Sequence, residues 1–221
     1  MRLTPGKTVV LGVAVTVLAG CGGSGGATEQ AGETSGTSNG CTSGTPHAHP
    51  NGGYKREKLE LNPAKTYALV FRTNCGSFTV TLSPKTAPKT TASLVSLARR
   101  GFFTDTYFHR IVPGFVIQGG DPTGSGSGGP GYKTVEKPPV NARYTHGVVA
   151  MAKGGAEPPG TAGSQFFVVT AADAQLPPEY AIVGKVTKGI GVVDRIGRLG
   201  DPTTEQPTQP VVISRVRVVI S

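Results

Sequence analysis

A series of short runs rich in β-branched and aromatic residues, separated by Gly and Pro, most constrains the fold of this chain. Such residues favour strands, whereas Gly and Pro interrupt regular structure. The chain has 221 residues, of which 33 are Gly and 18 are Pro, about twice the average share, which argues against a helical bundle. The glycines show no period of three, so the chain is not collagen, and the recurring apolar runs exclude a fully disordered chain.

The pattern predicts one mainly β domain over residues 54–221. Strands are expected at residues 67–72, 77–82, 107–112, 115–118, 147–152, 164–170, 181–186 and 211–220. Helical spacing of apolar residues after Pro88, ending at Gly101, predicts one helix, and residues 192–196 predict a second. Because no strand-helix-strand rhythm appears, we expect a closed eight-stranded antiparallel barrel capped by two α-helices.

The first twenty residues have the organisation of a secretory signal peptide. Arg2 and Lys7 precede an apolar run, residues 9–18, which as a helix spans only about 15 Å, half a bilayer. The run ends in Leu18-Ala19-Gly20-Cys21, which resembles the bacterial lipobox. We therefore expect residues 1–20 to be a lipoprotein signal peptide and Cys21 to be acylated, which would anchor the exported protein to the outer face of the cytoplasmic membrane. An ordinary cleavable signal with a chance cysteine is the alternative.

Residues 21–53 are predicted to be a flexible tether. From residue 22 to residue 53 there is no Leu, Ile, Val, Met or Phe, and 19 of the 32 residues are Gly, Ser or Thr. Export places Cys41 and Cys75 where disulfides persist, so we expect them to be bridged, with two free thiols as the alternative. His47 and His49 have no third ligand nearby in the sequence, and we expect no metal site.

The chain is basic, with a formal net charge of +9. A charge of this size suits a polyanionic partner. No basic run is interleaved with aromatic residues, and export argues against nucleic acid, so acidic lipid headgroups or wall polymers fit better. Motifs for dinucleotide binding, nucleophilic hydrolysis and metal catalysis are absent or incomplete, and we expect no cofactor.

The stretch from residue 107 to residue 121, YFHRIVPGFVIQGGD, carries the most chemical information. Alternate residues of paired strands share a face, so Arg110 and Gln118 can enter one groove that Phe115 lines. The stretch GSQFFVV, residues 163–169, adds two adjacent rings, one on each side of its strand. These residues predict a peptide- or ligand-binding module. Arg110 in a surface ion pair, core packing for the rings and a structural His109 remain alternatives.

Together these motifs resemble the cyclophilin family of peptidyl-prolyl cis-trans isomerases, from about residue 66 to residue 221. The sequences VAMA at 149–152 and IVGKV at 182–186 recur in the order that the family has. The resemblance implies an eight-stranded barrel with two helices, isomerisation of Xaa-Pro bonds without cofactor, and binding of proline-containing segments of exported proteins by a monomer. It implies that Arg110 is catalytic. The implied substrate-binding residues are His109, Phe115, Val116, Gln118, Ala152, Phe167, Leu176 and Tyr180.

Three departures from the family pattern qualify these roles. Lys153 stands where asparagine is common, Gln175 stands where many members have tryptophan, and residues 154–161 carry about three extra residues. We therefore expect weak cyclosporin binding. A catalytically silent proline-peptide-binding or chaperone module on the same fold is the alternative function.

Overall fold

The structure is a computed structural model that describes residues 40–221. The predicted signal peptide, the predicted acylation site Cys21 and the first part of the tether lie outside the described residues. Neither helix in the described part of the chain is long and apolar enough to cross a bilayer.

The described chain forms antiparallel strands and two helices. In chain order the elements are β1 (Tyr67–Thr73), β2 (Gly76–Leu82), α1 (Pro88–Arg99), β3 (Thr106–Tyr107), β4 (Arg110–Val112), β5 (Val116–Gly119), β6 (Thr134–Val135), β7 (Val148–Met151), β8 (Thr161–Ala162), β9 (Phe166–Val169), β10 (Ile182–Lys188), α2 (Ile190–Gly197) and β11 (Val212–Ile220). The predicted mainly β architecture with two helices is confirmed.

The main sheet has nine strands, not the eight that we predicted, in the order β3-β11-β1-β2-β10-β7-β9-β5-β4. The extra strand arises because residues 107–112 do not form one strand. Phe108 N–H donates to Val211 O, whereas Ile111 N–H donates to Glu205 O, so the backbone changes partner between β3 and β4. These two strands end the curled sheet, and two residues of chain connect them. No strand pairing closes the sheet among the described residues, so the predicted closure is not observed.

The curled sheet separates two apolar clusters. In β9, Phe166 belongs to the large interior cluster and Phe167 to a smaller one on the outer side, as predicted for this pair of rings. In β7 the same alternation sends Val149 inward and Ala150 outward. All four residues of each strand are therefore buried, because both of its faces are covered.

Helix α1 starts and ends as its sequence predicts. Pro88 occupies the first turn, where its missing N–H is tolerated. At the other end, Gly101 has φ +72°, and the N–H groups of Gly101 and Phe102 donate to Ala98 O and Leu97 O. This is a Schellman cap, in which glycine adopts the left-handed backbone at little cost.

Residues 40–54 lie on the domain, which differs from the flexible tether predicted up to residue 53. Thr42 N–H donates to Asn74 O, His49 N–H to Pro122 O and Tyr54 N–H to Pro130 O. The predicted disulfide joins Cys41 to Cys75, in the turn between β1 and β2. The composition is misleading here because backbone hydrogen bonds and one covalent bond hold residues 40–53, and Tyr54 packs against Phe102 at the end of the segment.

Candidate active site

A row of direct cross-strand neighbours places Arg110 and the aromatic ring of Phe167 on one face, with Gln118 between them. Arg110 of β4 pairs with Gln118 of β5, which pairs with Phe167 of β9, which pairs with Ala150 of β7. Because direct partners in antiparallel strands point to the same face, these four side chains form one line across the outer side of the sheet. The strand alternation that suggested a shared groove for Arg110 and Gln118 is thus realised.

The adjacent row of the same face is wholly apolar. Val112, Val116 and Val169 are successive cross-strand partners across β4, β5 and β9. Val116 and Phe167 are buried, and Phe115 and Leu176 are partly buried against the same cluster. The Arg110 cation and the Gln118 amide therefore lie along one edge of an apolar surface.

Two protein acceptors fix the Arg110 guanidinium. Nε donates to a carboxylate oxygen of Glu205 at 2.6 Å, and an Nη donates to Gln118 Oε1 at 3.4 Å. The Arg110 side chain is 34% exposed. A guanidinium has five N–H donors. The other Nη of Arg110 donates to no group among residues 40–221, so both of its N–H groups are available to a ligand.

Glu205 is itself held by the backbone. Its carbonyl accepts from Ile111 N–H at 2.8 Å, and its N–H donates to Asp201 O at 2.9 Å. Its φ of +59° is uncommon for a residue other than glycine. A Cβ at Gly200 would overlap Ile111 O, so this loop lies directly against β4. The carboxylate is therefore carried to Arg110 by a loop that is fixed to the same strand.

On its other side, Gln118 joins a second amide. Gln118 Nε2 donates to Gln165 Oε1 at 3.0 Å, and Gln165 Nε2 donates to the carbonyls of Gly126 and Gly128 at 2.9 and 3.0 Å. These carbonyls belong to residues 121–131, here called the glycine loop. The amide chain thus connects Arg110 to this loop.

Asp121 organises the glycine loop from within. Its buried carboxylate accepts hydrogen bonds from the N–H groups of Thr123, Gly126 and Gly128 and from the Thr123 hydroxyl. Burial acts to raise the pKa of Asp121, but these hydrogen bonds outweigh it and hold the pKa below its ordinary value. The loop therefore depends on an ionised carboxylate.

His109 lies between β3 and β4, close to the Gly126 backbone and edge-on to Tyr107. Both imidazole nitrogens are buried, and neither has a hydrogen-bond partner among residues 40–221. Burial lowers the pKa of His109, and the neighbouring Arg110 lowers it further, although Asp121 acts in the opposite direction. A neutral imidazole therefore stands next to the Arg110 guanidinium.

Tyr144 holds the aromatic end of the face. Its hydroxyl donates to Tyr180 O at 2.8 Å and accepts from Tyr180 N–H at 3.0 Å. Tyr180 packs edge-on against Phe167, with ring centroids 5.5 Å apart. Burial raises the pKa of Tyr144, so the hydroxyl keeps its proton and the clamp persists.

A polar depression of about 320 Å³ adjoins the amide chain and reaches Ala152. Lys153, one of the departures, lines it but folds back. Its ammonium donates to Glu157 O at 3.1 Å and pairs with Glu179 at 3.0 Å, and the side chain is only 4% exposed. This lysine therefore supports the Tyr180 segment and leaves the groove unobstructed.

All eight substrate-binding candidates except His109 lie on or beside this outer face, around Arg110. Three residues of the site were not predicted from the sequence, namely Glu205, Gln165 and Tyr144. Gln165 stands two residues before Phe167, so strand alternation places it on the same face and the signal was available. Glu205 and Tyr144 lie in loops without a local pattern, and only the fold brings them to the site.

His49 Nε2 lies 2.6 Å from Thr104 O, and residues 40–221 contain no cluster of three or more acidic, His or Cys residues arranged for a metal.

Comparison with known proteins identifies the family. A family model described as cyclophilin type peptidyl-prolyl cis-trans isomerase/CLD matches residues 68–218. Peptidyl-prolyl cis-trans isomerase-like 1 of Aspergillus fumigatus is 40% identical over 155 residues, covering 68% of this chain and 94% of the relative. Its counterpart in Bos taurus is 41% identical over 145 residues, covering 64% and 86%.

Solved structures agree with this assignment. A Cryptosporidium parvum cyclophilin type peptidyl-prolyl cis-trans isomerase matches with a TM-score of 0.64 and 31% identity, over 70% of this chain and 98% of that one. The structure of that protein in the presence of the dipeptide Ala-Pro gives a TM-score of 0.63 and 30% identity, over 69% and 98%. The chain is a cyclophilin-type peptidyl-prolyl cis-trans isomerase.

Proposed function

We propose that Arg110 drives isomerisation of Xaa-Pro bonds in exported proteins by donating a hydrogen bond to the prolyl nitrogen. Resonance gives the peptide C–N bond partial double-bond character, with a rotation barrier of about 18–20 kcal/mol. As the bond twists, the nitrogen becomes pyramidal and its lone pair becomes an acceptor. A donor placed there stabilises the twisted state more than either planar state, which is the requirement for catalysis.

The contacts of Arg110 support this role. Glu205 accepts from Nε and Gln118 from one Nη, so the two together orient the plane of the guanidinium. The other Nη donates to no group among residues 40–221 and is available to a ligand. The adjacent apolar row and Phe167 offer a surface for the proline ring, so the ring is held while the preceding carbonyl rotates. The juxtaposition of a fixed cation with an apolar floor is the observation that carries the proposal.

The required effect is within reach of these groups. Uncatalysed isomerisation takes about 10–100 s, and bringing seconds down to milliseconds is a factor of about 10⁴, or roughly 5.5 kcal/mol. A charge-assisted donor in a partly desolvated site, together with orientation of the ring, supplies free energy of that order.

Within this mechanism Glu205 is a positioning residue. It contacts Arg110 Nε and is fixed to β4 through the backbone of Ile111, so it limits the rotamers of the guanidinium. Gln118 accepts a hydrogen bond from one Nη of Arg110, and Gln165 in turn orients the Gln118 amide. The arginine is therefore preorganised before substrate arrives.

A proline-peptide isomerisation assay on the purified full chain carrying Cys21→Ser tests the role of Arg110. We expect Arg110→Ala to lower kcat/KM by about 10²–10³-fold, the loss typical for one transition-state donor. Arg217→Ala, which removes an exposed arginine from another part of the sheet, should leave kcat/KM unchanged. Equal rates for wild type and Arg110→Ala would show that the arginine mechanism is wrong.

We further propose that the protein is exported and anchored by acyl chains on Cys21 to the outer face of the cytoplasmic membrane. The LAGC sequence at residues 18–21 supports acylation. The disulfide between Cys41 and Cys75 supports export, because disulfides persist in oxidising compartments. Acyl chains contribute about 0.8 kcal/mol of membrane affinity per buried methylene.

Mass spectrometry of the protein from its native membrane tests the anchor. We expect a mature N terminus at Cys21 that carries lipid, and loss of labelled-lipid incorporation in Cys21→Ser. An unmodified Cys21, or a chain that begins elsewhere, would contradict the anchor while leaving the isomerase activity untouched.

A further inference from the structure

The outer face of β11, β1, β2 and β10 has a one-sided charge. These four neighbouring strands contain thirty residues, and none of them is Asp or Glu. Five are basic, and all five are exposed, namely Arg72, Lys185, Lys188, Arg215 and Arg217. We call this surface the basic face.

The strand register brings like charges together on this face. Arg72 and Arg215 are direct cross-strand partners, and Arg217 follows Arg215 by two residues, which places it on the same side. Like charges directly opposite one another destabilise a strand pair. The repulsion is not relieved within residues 40–221, since none of these three arginines forms an ion pair there.

The carboxylates of the described residues are mostly engaged elsewhere. Glu136 accepts from the first N–H groups of α1, and Asp121 holds the glycine loop. Asp201 accepts from the N–H groups of Thr203 and Thr204. Five more carboxylates form ion pairs at other sites, namely Glu157, Asp173, Glu179, Asp194 and Glu205. Within residues 40–221, no carboxylate therefore pairs with the three arginines, which leaves them available to an anionic surface.

The N-terminal residues reach the domain at the edge of this face. Cys41 is bonded to Cys75, three residues after Arg72, in the turn that joins β1 to β2. Residues 1–39 precede this point, so an anchor within them would be joined to the domain at the edge of the basic face. The candidate active site lies on the outer side of different strands, β4, β5, β9 and β7.

We propose that the basic face docks on anionic lipid headgroups, with Arg72, Arg215 and Arg217 as its main contacts. Guanidinium groups bind phosphate oxygens through two parallel hydrogen bonds. On the same face, Ser77 is the direct cross-strand partner of Arg72, and Thr79 is the partner of Val70, which lies opposite Arg217. The outward residues include no aromatic side chain for base stacking, which favours a lipid surface over a nucleic acid. The exposed Val219 adds an apolar contact at the far end of β11. Docking in this way leaves the groove open to substrates.

Vesicle sedimentation of the full chain carrying Cys21→Ser tests the proposal, since no acyl chain then contributes. The probes are vesicles of phosphatidylcholine alone and of phosphatidylcholine with phosphatidylglycerol. We expect at least about tenfold tighter binding to the anionic vesicles at low salt, weakening as salt is raised. Neutral vesicles report any binding by the apolar N-terminal residues, which all variants share.

Matched charge-reversal variants locate the surface. Replacing Arg72, Arg215 and Arg217 together with Glu should abolish the preference for anionic vesicles. Replacing the exposed Lys55, Lys58 and Lys65 with Glu makes the same change in net charge away from this face and should preserve most of it. Should the triple arginine variant fail to fold, Arg72→Gln, Arg215→Gln and Arg217→Gln are each expected to weaken binding several-fold.

Three results would overturn the proposal. Undiminished binding by the arginine variants would show that the face is not used. Equal losses in the two triple variants would mean that net charge alone attracts the protein. Equally tight binding to an oligonucleotide would indicate a general polyanion surface. Isomerase activity is measured separately and is expected to be normal in the arginine variants. Normal activity would also show that these variants fold.

Discussion

The two outer surfaces of the curled sheet use arginine in opposite ways. On β4, Arg110 is half-buried and hydrogen-bonded to Glu205 and Gln118, and Phe167 lies beyond Gln118 on the same face. On β1 and β11, Arg72 and Arg215 face each other in solvent without a carboxylate among the described residues. Arg110 is held in place because a neighbouring strand and a distant loop supply its hydrogen-bond partners. Among residues 40–221, Arg72 and Arg215 have no such partners, so their charges remain available to solvent and to anionic groups. Residues on the two faces should therefore respond differently to substitution.

The largest expected difference concerns packing. Phe167 is 4% exposed on the active face, whereas Val219 is 44% exposed beside the basic face. Phe167→Ala should lower the free energy of unfolding by about 3–5 kcal/mol, because it removes a buried ring that contacts Tyr144 and Tyr180. Val219→Ala should change it by less than about 0.5 kcal/mol. Chemical denaturation measures both, and similar values would show that the active face is not a packed layer.

The disulfide is the next test, because it lies at the edge of the basic face. Replacing Cys41 and Cys75 together with Ala should lower the free energy of unfolding by about 3–4 kcal/mol, as expected for a loop of 34 residues. The value of kcat/KM should not change, since neither cysteine touches the groove. A reductant that leaves the unfolding midpoint of the wild type unchanged would contradict this prediction.

The third test concerns Glu205, which forms an ion pair with Arg110. The arginines of the basic face have no such carboxylate partner among residues 40–221. Glu205→Gln should lower kcat by about tenfold with little change in KM, since the amide holds the Arg110 guanidinium less firmly. The free energy of unfolding should stay close to wild type, which separates positioning from a structural role.

Two further variants control this experiment. Glu205→Asp keeps the charge and should restore part of kcat, and the exposed Glu57→Gln should have no effect on it. A larger KM with unchanged kcat would assign Glu205 to substrate binding instead of to orientation of Arg110.

The smallest expected effect is a pH dependence from His109. Burial lowers the pKa of His109 in the folded state, so the unfolded chain binds a proton more readily. Stability should therefore fall as pH drops below about 6.5, the ordinary value for histidine. His109→Gln should reduce this slope in denaturation curves measured across that range. An unchanged slope in His109→Gln would show that the imidazole is not held neutral.

Local patterns predicted most of the fold and half of the site. Strand alternation placed Arg110 with Gln118 and split Phe166 from Phe167, since both depend only on a period of two. The family resemblance added Ala152, Leu176 and Tyr180, which local patterns do not identify. Glu205 stands 95 residues from Arg110 in a loop rich in Thr and Pro, so no local signal marks it.

The prediction differs most from the structure where backbone groups act without side-chain patterns. The split between β3 and β4 depends on a change of hydrogen-bond partner, from Val211 to Glu205. Residues 40–54 have the composition of a coil, yet their N–H groups find carbonyls on the domain surface. Amino-acid composition predicts the burial of apolar side chains well, but it does not predict hydrogen bonds between backbone groups.

The position of the disulfide also determines how the molecule bears mechanical load. A pull on the N-terminal residues enters the domain through the covalent link between Cys41 and Cys75 and passes directly into the β1–β2 hairpin. Residues 42–74 form the loop that this link closes. The segment that is hydrogen-bonded to the glycine loop through Gly52 and Tyr54 lies within it and therefore carries no tension. A pull of this kind would therefore leave Arg110 and its amide chain undistorted.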